Sequence, residues 1–354
     1  MVRKMMVPSM ELVDHDGPGT QLCAVMENPG EIDVKYAKIP EPKPEEVRIK
    51  VRWVGICGSD VEVYRGERDP EFISYPTRLG HEVAGVIDKV GENVIGLKEG
   101  DHVALRYVWG AFAEYVCCNP FSVKALPKEF PLIEGSLVEV LPALVSAAEL
   151  GDISPNKTVL IMGQGVSGLA LTQVLSLYSP RNLVVTDLFD EKLELAKKYG
   201  ATHTYKLPSK DANTMDIVGK DFPDGFDVVY PCLLEGDGMV DAIDSAAQNG
   251  RIVMYGCIGT CHKPVDFFKV HKKRLEILST EPKRDIDNRK YFDQGLQLVL
   301  DGLVNTKETI THIYPLSRVN EAFKTRNSHK GDTIHVMIDC EPDSSSEKDS
   351  NKNE

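Results

Sequence analysis

The sequence predicts an α/β protein, from two textures and one motif. Residues 21 to about 120 carry short alternating runs bounded by glycine, whereas residues 156 to about 280 alternate strand-like and helix-like runs. A Gly-rich turn joins the first strand-like run of the second region to the helix-like run after it. Repeated β–α–β of this kind implies a parallel sheet covered by helices on both faces, and the first region implies a separate β-rich domain. The 354 residues exceed the usual single core, which agrees with two domains.

In the β-rich region, Val47-Arg48-Ile49-Lys50-Val51-Arg52 alternates as a half-buried strand does, and Val83 to Val90 is a second strand between glycines. In the second region Thr158 to Met162 is a short buried-strand run, Val166 to Leu177 a helix, Asn182 to Thr186 a strand and Glu191 to Tyr199 a helix. Phe226 to Tyr230 and Gly250 to Tyr255 are further strands. A helix over about 289–301 and a β-like end from Thr333 to Asp339 follow. Residues 1–20, broken by Pro8, Gly17, Pro18 and Gly19, read as a loose extension, and 341–354 as a disordered acidic tail.

Composition narrows the function classes. With 41 Lys+Arg against 54 Asp+Glu the net charge is −13, which argues against a nucleic-acid partner because such affinity comes mainly from neutralising phosphates. No window approaches the roughly 18 apolar residues of a membrane span. Arg3 and Lys4 have no apolar core behind them, so no secretory signal is expected. Eight scattered cysteines are too few for a disulfide scaffold and suit a reducing compartment, the cytoplasm by default.

Gly163-Gln164-Gly165-Val166-Ser167-Gly168 is G-x-G-x-x-G with a strand before it and a helix after it. That context lets the glycines turn tightly and brings a pyrophosphate to the N-terminus of the helix that Val166 opens. Asp187 closes the next strand, 24 residues after Gly163. An acid there accepts hydrogen bonds from the ribose hydroxyls and repels a 2′-phosphate, which points to NAD rather than NADP.

Cys57 lies in Gly55-Ile56-Cys57-Gly58-Ser59-Asp60 and His81 in Gly80-His81-Glu82. Singly, each reads as a buried thiol or a structural histidine. Together with Glu82 and Glu139 they offer the S, N and O donors that zinc accepts. The 24 residues from Cys57 to His81 are too long for a zinc finger, so separate loops must converge, as at a catalytic site.

GICGSD, GHE-x-x-G over Gly80 to Gly85, the stretch from Val90-Gly91-Glu92-Asn93-Val94 to Glu99-Gly100-Asp101-His102-Val103, and the later G-x-G-x-x-G resemble the zinc-dependent medium-chain dehydrogenase/reductase family. The resemblance covers about residues 21–340. Leu137-Val138-Glu139 is similar to the Glu-bearing segment of its polyol (sorbitol-like) and threonine dehydrogenase branch. The resemblance implies a GroES-like catalytic domain over 21–155 and 286–340 and a doubly wound Rossmann NAD-binding domain over 156–285. It further implies zinc on Cys57, His81 and Glu82, with Glu139 binding the ion or its water, and Ser59 passing a proton. The expected reaction is hydride transfer from a secondary alcohol, a polyol or sugar alcohol, phosphorylated or not, to NAD. The expected assembly is a homodimer or homotetramer, and Arg251 to Tyr255 near Ile258 would suit edge pairing or internal sheet.

Three departures from the family pattern stand out. The four-cysteine structural-zinc lobe is missing, since Asp101 to Trp109 runs straight into Gly110 to Tyr115, so one zinc per chain is expected. The pair Cys117-Cys118, and Cys257 with Cys261, read as buried thiols. Glu62 stands where relatives often carry a relay histidine, and Val140 follows Glu139 where polyol dehydrogenases often have proline. Tyr64, Arg284 and Arg289 fall in regions that relatives use for substrate hydroxyls. Lys283-Arg284 could serve a phosphate, while His271-Lys272-Lys273-Arg274 suits a helix end. Two other readings keep parts of this pattern: a threonine or amino-alcohol dehydrogenase, and a zinc-free NAD-binding sensor or structural protein. The second has no use for the four metal-donor residues.

Overall fold

A computed structural model describes residues 7, 9–68, 72–233, 237–255, 263–280, 285–328 and 330–341. Cys257, Ile258, Cys261, Lys283, Arg284, Pro8 and the tail 342–354 lie outside the described residues. The chain divides into two compact units, one of Met1–Glu139, His312–Ser328 and His335–Glu354, the other of Val140–Thr311 and His329–Ile334. No helix among the described residues is long and apolar enough to cross a membrane.

The first unit is built on antiparallel sheet. His335–Asp339, Val47–Gly55, Glu82–Val90, His102–Leu105 and Val123–Ala125 hydrogen-bond in that order, and Tyr115–Cys118 also pairs with Val47–Gly55. Its inward side chains, among them Val47, Ile49, Val51, Val83, Ile87, Val103 and Leu105, form one apolar core. That alternation is the period-2 pattern of a half-buried strand. Within the expected extension, Leu12–Val13 pairs with the strand Glu31–Lys38, and Thr20 already opens the strand Thr20–Asn28. Two residues are too short a run to show a strand period, so this pairing had no local signature.

The second unit is a doubly wound sheet. Six parallel strands lie in the order His203–Lys206, Asn182–Asp187, Thr158–Met162, Phe226–Pro231, Ala246–Met254 and Glu276–Ser279. Chain order reverses at Thr158–Met162, which makes the end of that strand the topological switch point where ligands bind in such sheets. The central strands are near-continuous apolar runs because helices cover both faces. Ala246–Met254 pairs on both sides, so Arg251 to Met254 is internal sheet and offers no free edge.

The helices Leu141–Gly151 and Asp285–Leu300 belong to this unit, so its limits fall outside the expected 156–285. Tyr230 Oη, on a central strand, donates to Ala147 O at 3.1 Å and ties the first of these helices to the sheet. The run 271–274 ends the helix Phe267–Lys273, where the Lys273 ammonium donates to the carbonyls of Ile243, Asp244 and Ala246.

Candidate active site

The strand Val47–Gly55 ends opposite Glu82 on one side and Met337 on the other, and this register fixes the geometry. Gly55 must be glycine, because a Cβ there would stand 2.2 Å from Glu82 Oε2 and 2.4 Å from His335 Nε2. Two residues later Cys57 opens the helix Gly58–Arg65. One Asp60 oxygen accepts from Cys57 N at 3.0 Å, and the other accepts from Gly80 N at 3.2 Å. A single buried carboxylate thereby ties together the two loops that carry Cys57 and His81, 20 positions apart at that contact.

The donor atoms of Cys57, His81 and Glu82 lie within 4.8 Å of one another, the one such group among the described residues. Thiolate, imidazole and carboxylate at this separation fit a zinc ion, and zinc would leave a position open for water or substrate. Asp60 Oδ1 stands 3.5 Å from His81 Nδ1, and Ser59 Oγ lies 3.4 Å from His81 Nε2. Burial disfavours the charged imidazolium of His81, yet the Asp60 and Cys57 charges outweigh it and hold its pKa well above the usual value. Burial pushes the Cys57 thiol up, aided by the Glu82 carboxylate. For Glu82 burial works in the same direction, but His335 overrides it and the carboxyl sits below its usual range.

Glu139 is the fourth expected member. It ends a 3₁₀ turn, and its carbonyl accepts from Arg106 Nη1 at 3.1 Å. Its carboxyl is not among the three clustered donors. Enclosure raises its pKa, partly offset by the Arg106 and His81 charges.

Where the sequence lacks the four-cysteine lobe, the backbone turns at Tyr107 (φ +61°) and Gly110 (φ +83°). The turn brings the Trp109 ring against His81, with centroids 4.1 Å apart and planes inclined by 42°. Cys117 and Cys118 are free thiols on the strand Tyr115–Cys118, where burial pushes Cys117 up to about 12 and Cys118 further. Neither belongs to a group of metal donors among the described residues.

Other expectations are corrected. Tyr64 is buried against Phe323, with ring centroids 5.2 Å apart, and is a core residue rather than a substrate contact. Glu62 is buried, with Oε2 2.7 Å from Arg68 Nε, so its carboxylate is already engaged. Arg289 is exposed on its helix.

Asp60, Arg106, Trp109, Arg326 and His335 were not singled out from sequence. His335 Nε2 lies 2.7 Å from Glu82 Oε2 and both side chains are buried. Arg326 Nε reaches Ile56 O at 3.4 Å; burial lowers its pKa, while the Cys57 and Glu82 charges act to raise it. Asp60 belongs to the GICGSD motif and could have been found there. His335 could not, since its partner is 253 positions away.

In the second unit the turn Gly163–Gly168 follows the strand Thr158–Met162 and leads into the helix Val166–Ser176. A Cβ at Gly168 would stand 2.0 Å from Gly163 O, so only glycine lets helix and strand approach. Gly165 is the N-cap and no side chain accepts from the helix's first amides, while a Cβ at Gly165 would meet nothing within 4 Å. Open space before uncapped N–H groups suits a pyrophosphate. Asp187 Oδ2 accepts from Gln164 N at 2.6 Å, which sets its carboxylate beside the same turn.

Comparison with known proteins gives the same division. Residues 43–128 match the alcohol dehydrogenase GroES-like domain, and residues 167–300 match the zinc-binding dehydrogenase domain. The chain belongs to the zinc-dependent medium-chain dehydrogenase/reductase family. Its relatives in that family include sorbitol dehydrogenase of Bacillus subtilis, 28% identical with 92% of this chain and 98% of that one covered. Mouse sorbitol dehydrogenase is 29% identical, covering 92% and 97%, and D-xylulose reductase of Saccharomyces cerevisiae is 28% identical, covering 90% and 98%. These relatives place the chain in the polyol branch of the family. An Escherichia coli CFT073 alcohol dehydrogenase solved with NADH matches with a TM-score of 0.79 and 26% identity, over 91% of this chain and 99% of that one. Galactitol-1-phosphate dehydrogenase of Escherichia coli shares the fold, with a TM-score of 0.74 at 24% identity over 90% and 99%.

Proposed function

We propose that this protein is a zinc- and NAD-dependent dehydrogenase that oxidises a secondary alcohol of the polyol class to the ketone. The observation that carries the reading is the convergence of Cys57, His81 and Glu82 within 4.8 Å in a member of this family. Those three residues would hold one zinc ion, with Glu139 binding it or its water. Bound zinc supplies a Lewis acid that eases loss of the proton from a substrate hydroxyl near neutral pH.

The chain's own residues do the rest. Asp60 fixes both ligand loops and orients His81, and the His335 contact orients Glu82, as outer partners of metal ligands do. Ser59, beside the His81 ring, takes the proton of the substrate hydroxyl and passes it outward. Glu62 is bound to Arg68 and is not assigned a relay role. The amides of Gly165 and Val166 at the turn Gly163–Gly168 would hold the pyrophosphate of NAD, which would supply the hydride acceptor. Asp187 would accept from the ribose hydroxyls and exclude a 2′-phosphate.

Two further points belong to this reading. We place the protein in a reducing compartment, the cytoplasm, which the six free described cysteines support. Assembly as a homodimer or homotetramer is supported by exposed Phe267 and Phe268 on the helix Phe267–Lys273 and exposed Ile277 in the edge strand Glu276–Ser279, and light scattering tests it.

The deciding experiment is zinc content per chain by elemental mass spectrometry, followed by a screen of polyols and threonine with NAD. About one zinc per chain and NADH formation with a polyol are expected. Protein that is purified without chelator, holds no zinc and still binds NADH would sink the proposal in favour of a nucleotide-binding protein.

A further inference from the structure

Arg106 follows the strand His102–Leu105, whose last residue pairs with Val83 beside Glu82. The register thus brings the Arg106 backbone alongside Glu82, and the residue is only 7% exposed. Its hydrogen bonds are to Glu139 O through Nη1 (3.1 Å) and to the Tyr107 hydroxyl through Nη2 (3.1 Å), and its Cζ stands 4.7 Å from the Tyr107 ring centroid. Among the described residues no carboxylate lies within ion-pair distance, and Nε is buried without a hydrogen-bond partner. The Glu139 carboxyl feels the Arg106 charge at longer range, but a buried Nε–H donor left unpaired still carries a desolvation cost. Tyr107, which holds the guanidinium on one side, is itself in the left-handed region at φ +61°, a conformation that bulky residues adopt rarely and mostly at functional sites.

We propose that Arg106 is a specificity-determining residue that receives an oxyanion on the substrate, so that the preferred alcohol carries a carboxylate or phosphate group. The inference rests on the dehydrogenase reading above and narrows its substrate class. With one hydrogen on each Nη committed, Nε–H and a remaining Nη–H form the fork that pairs bidentately with a planar oxyanion. A neutral polyol or a simple amino alcohol leaves that fork unmatched, whereas threonine carries a carboxylate that would pair with it.

The test uses the zinc-loaded full chain with NAD and three probes sharing one hydroxylated chain: sorbitol, gluconate and sorbitol phosphate. The expected result is a kcat/KM for one of the anionic probes about a hundredfold above that for sorbitol, because sites built to pair a charged group reject its absence strongly. Whichever of gluconate and sorbitol phosphate wins identifies the anion. Arg106→Gln should remove most of that preference, the loss falling on the anionic probe at least tenfold more than on sorbitol. Arg106→Lys should retain part of it as a point charge without the fork. Raising salt should lower the preference in wild type. Wild-type protein that oxidises sorbitol at least as well as both anionic probes would overturn the inference and leave the dehydrogenase reading standing. So would equal losses on both kinds of probe in Arg106→Gln, which would make Arg106 a brace for Glu139. Protein that takes up no zinc when zinc is supplied, and oxidises none of the probes, would instead overturn the dehydrogenase reading itself.

Discussion

The nucleotide turn draws Gly163 to Gly168 from one stretch of chain, with Asp187 supplied by the next strand. The metal cluster gathers Cys57 from a helix start and His81 and Glu82 from a strand start, with His335 of the strand His335–Asp339 bracing Glu82. The turn works through backbone N–H groups and so depends on glycine geometry. The cluster works through side-chain donors and so depends on long-range register. A local site tolerates changes elsewhere in the fold, whereas a convergent one relies on braces such as Asp60 and on the room that Gly55 leaves.

The largest effect separates the two directly. Cys57→Ser should cut zinc per chain from about one to near zero and lower kcat/KM by about 10³-fold or more, the size expected when a Lewis acid is lost. NADH binding, followed by fluorescence, should persist. Gly168→Val should do the reverse, abolishing NADH binding while zinc stays, with a stability loss of about 3 kcal/mol from the clash with Gly163 O. Chemical denaturation with parallel metal analysis reads both variants. Loss of both ligands in either one would mean that the sites are not independent.

His335→Ala tests the braces. Removing an outer partner of a metal ligand costs about 10- to 100-fold in metal affinity, measurable by competition with a chromophoric chelator. A smaller and purely local signal comes from Trp109. As one of two tryptophans, and the one 4.1 Å from His81, it should report metal uptake by a fluorescence change. Trp109→Phe should lose that change and Trp53→Phe should keep it.

The smallest effect lies away from both sites. Burial raises the pKa of Glu114, although its carboxylate accepts from Leu22 N at 2.8 Å. A folded-state pKa above the unfolded 4.5 means that the native state binds more protons in that window, so this group's contribution falls as pH rises through it. Glu114→Gln should therefore gain in melting temperature relative to wild type as pH goes from about 4.5 to 7. A constant difference across that range would refute the assignment.

Legibility from sequence followed the same division. The strand Thr158–Met162 and the helix Val166–Ser176 were readable because apolar run, glycine pattern and helix period are all local. Val47 to Arg52 showed its alternation for the same reason. Cys57, His81 and Glu82 were identified through family motifs, since the spacing alone left structural readings open. Trp109 and Arg106 escaped notice because the turn that places them has no regular period. Tyr64 misled because polarity near a motif says nothing of the side of the helix it occupies, and Phe323, its partner, is remote in sequence. The helix Leu141–Gly151 fell on the wrong side of the expected boundary because its packing against the sheet is tertiary.

The turn through Tyr107 and Gly110 closes by backbone geometry where thiolates and a second ion would otherwise cross-link the chain. On the proposed reading, chelation at the one metal-donor group among the described residues would empty the reaction centre and leave the fastening of this turn to its own backbone.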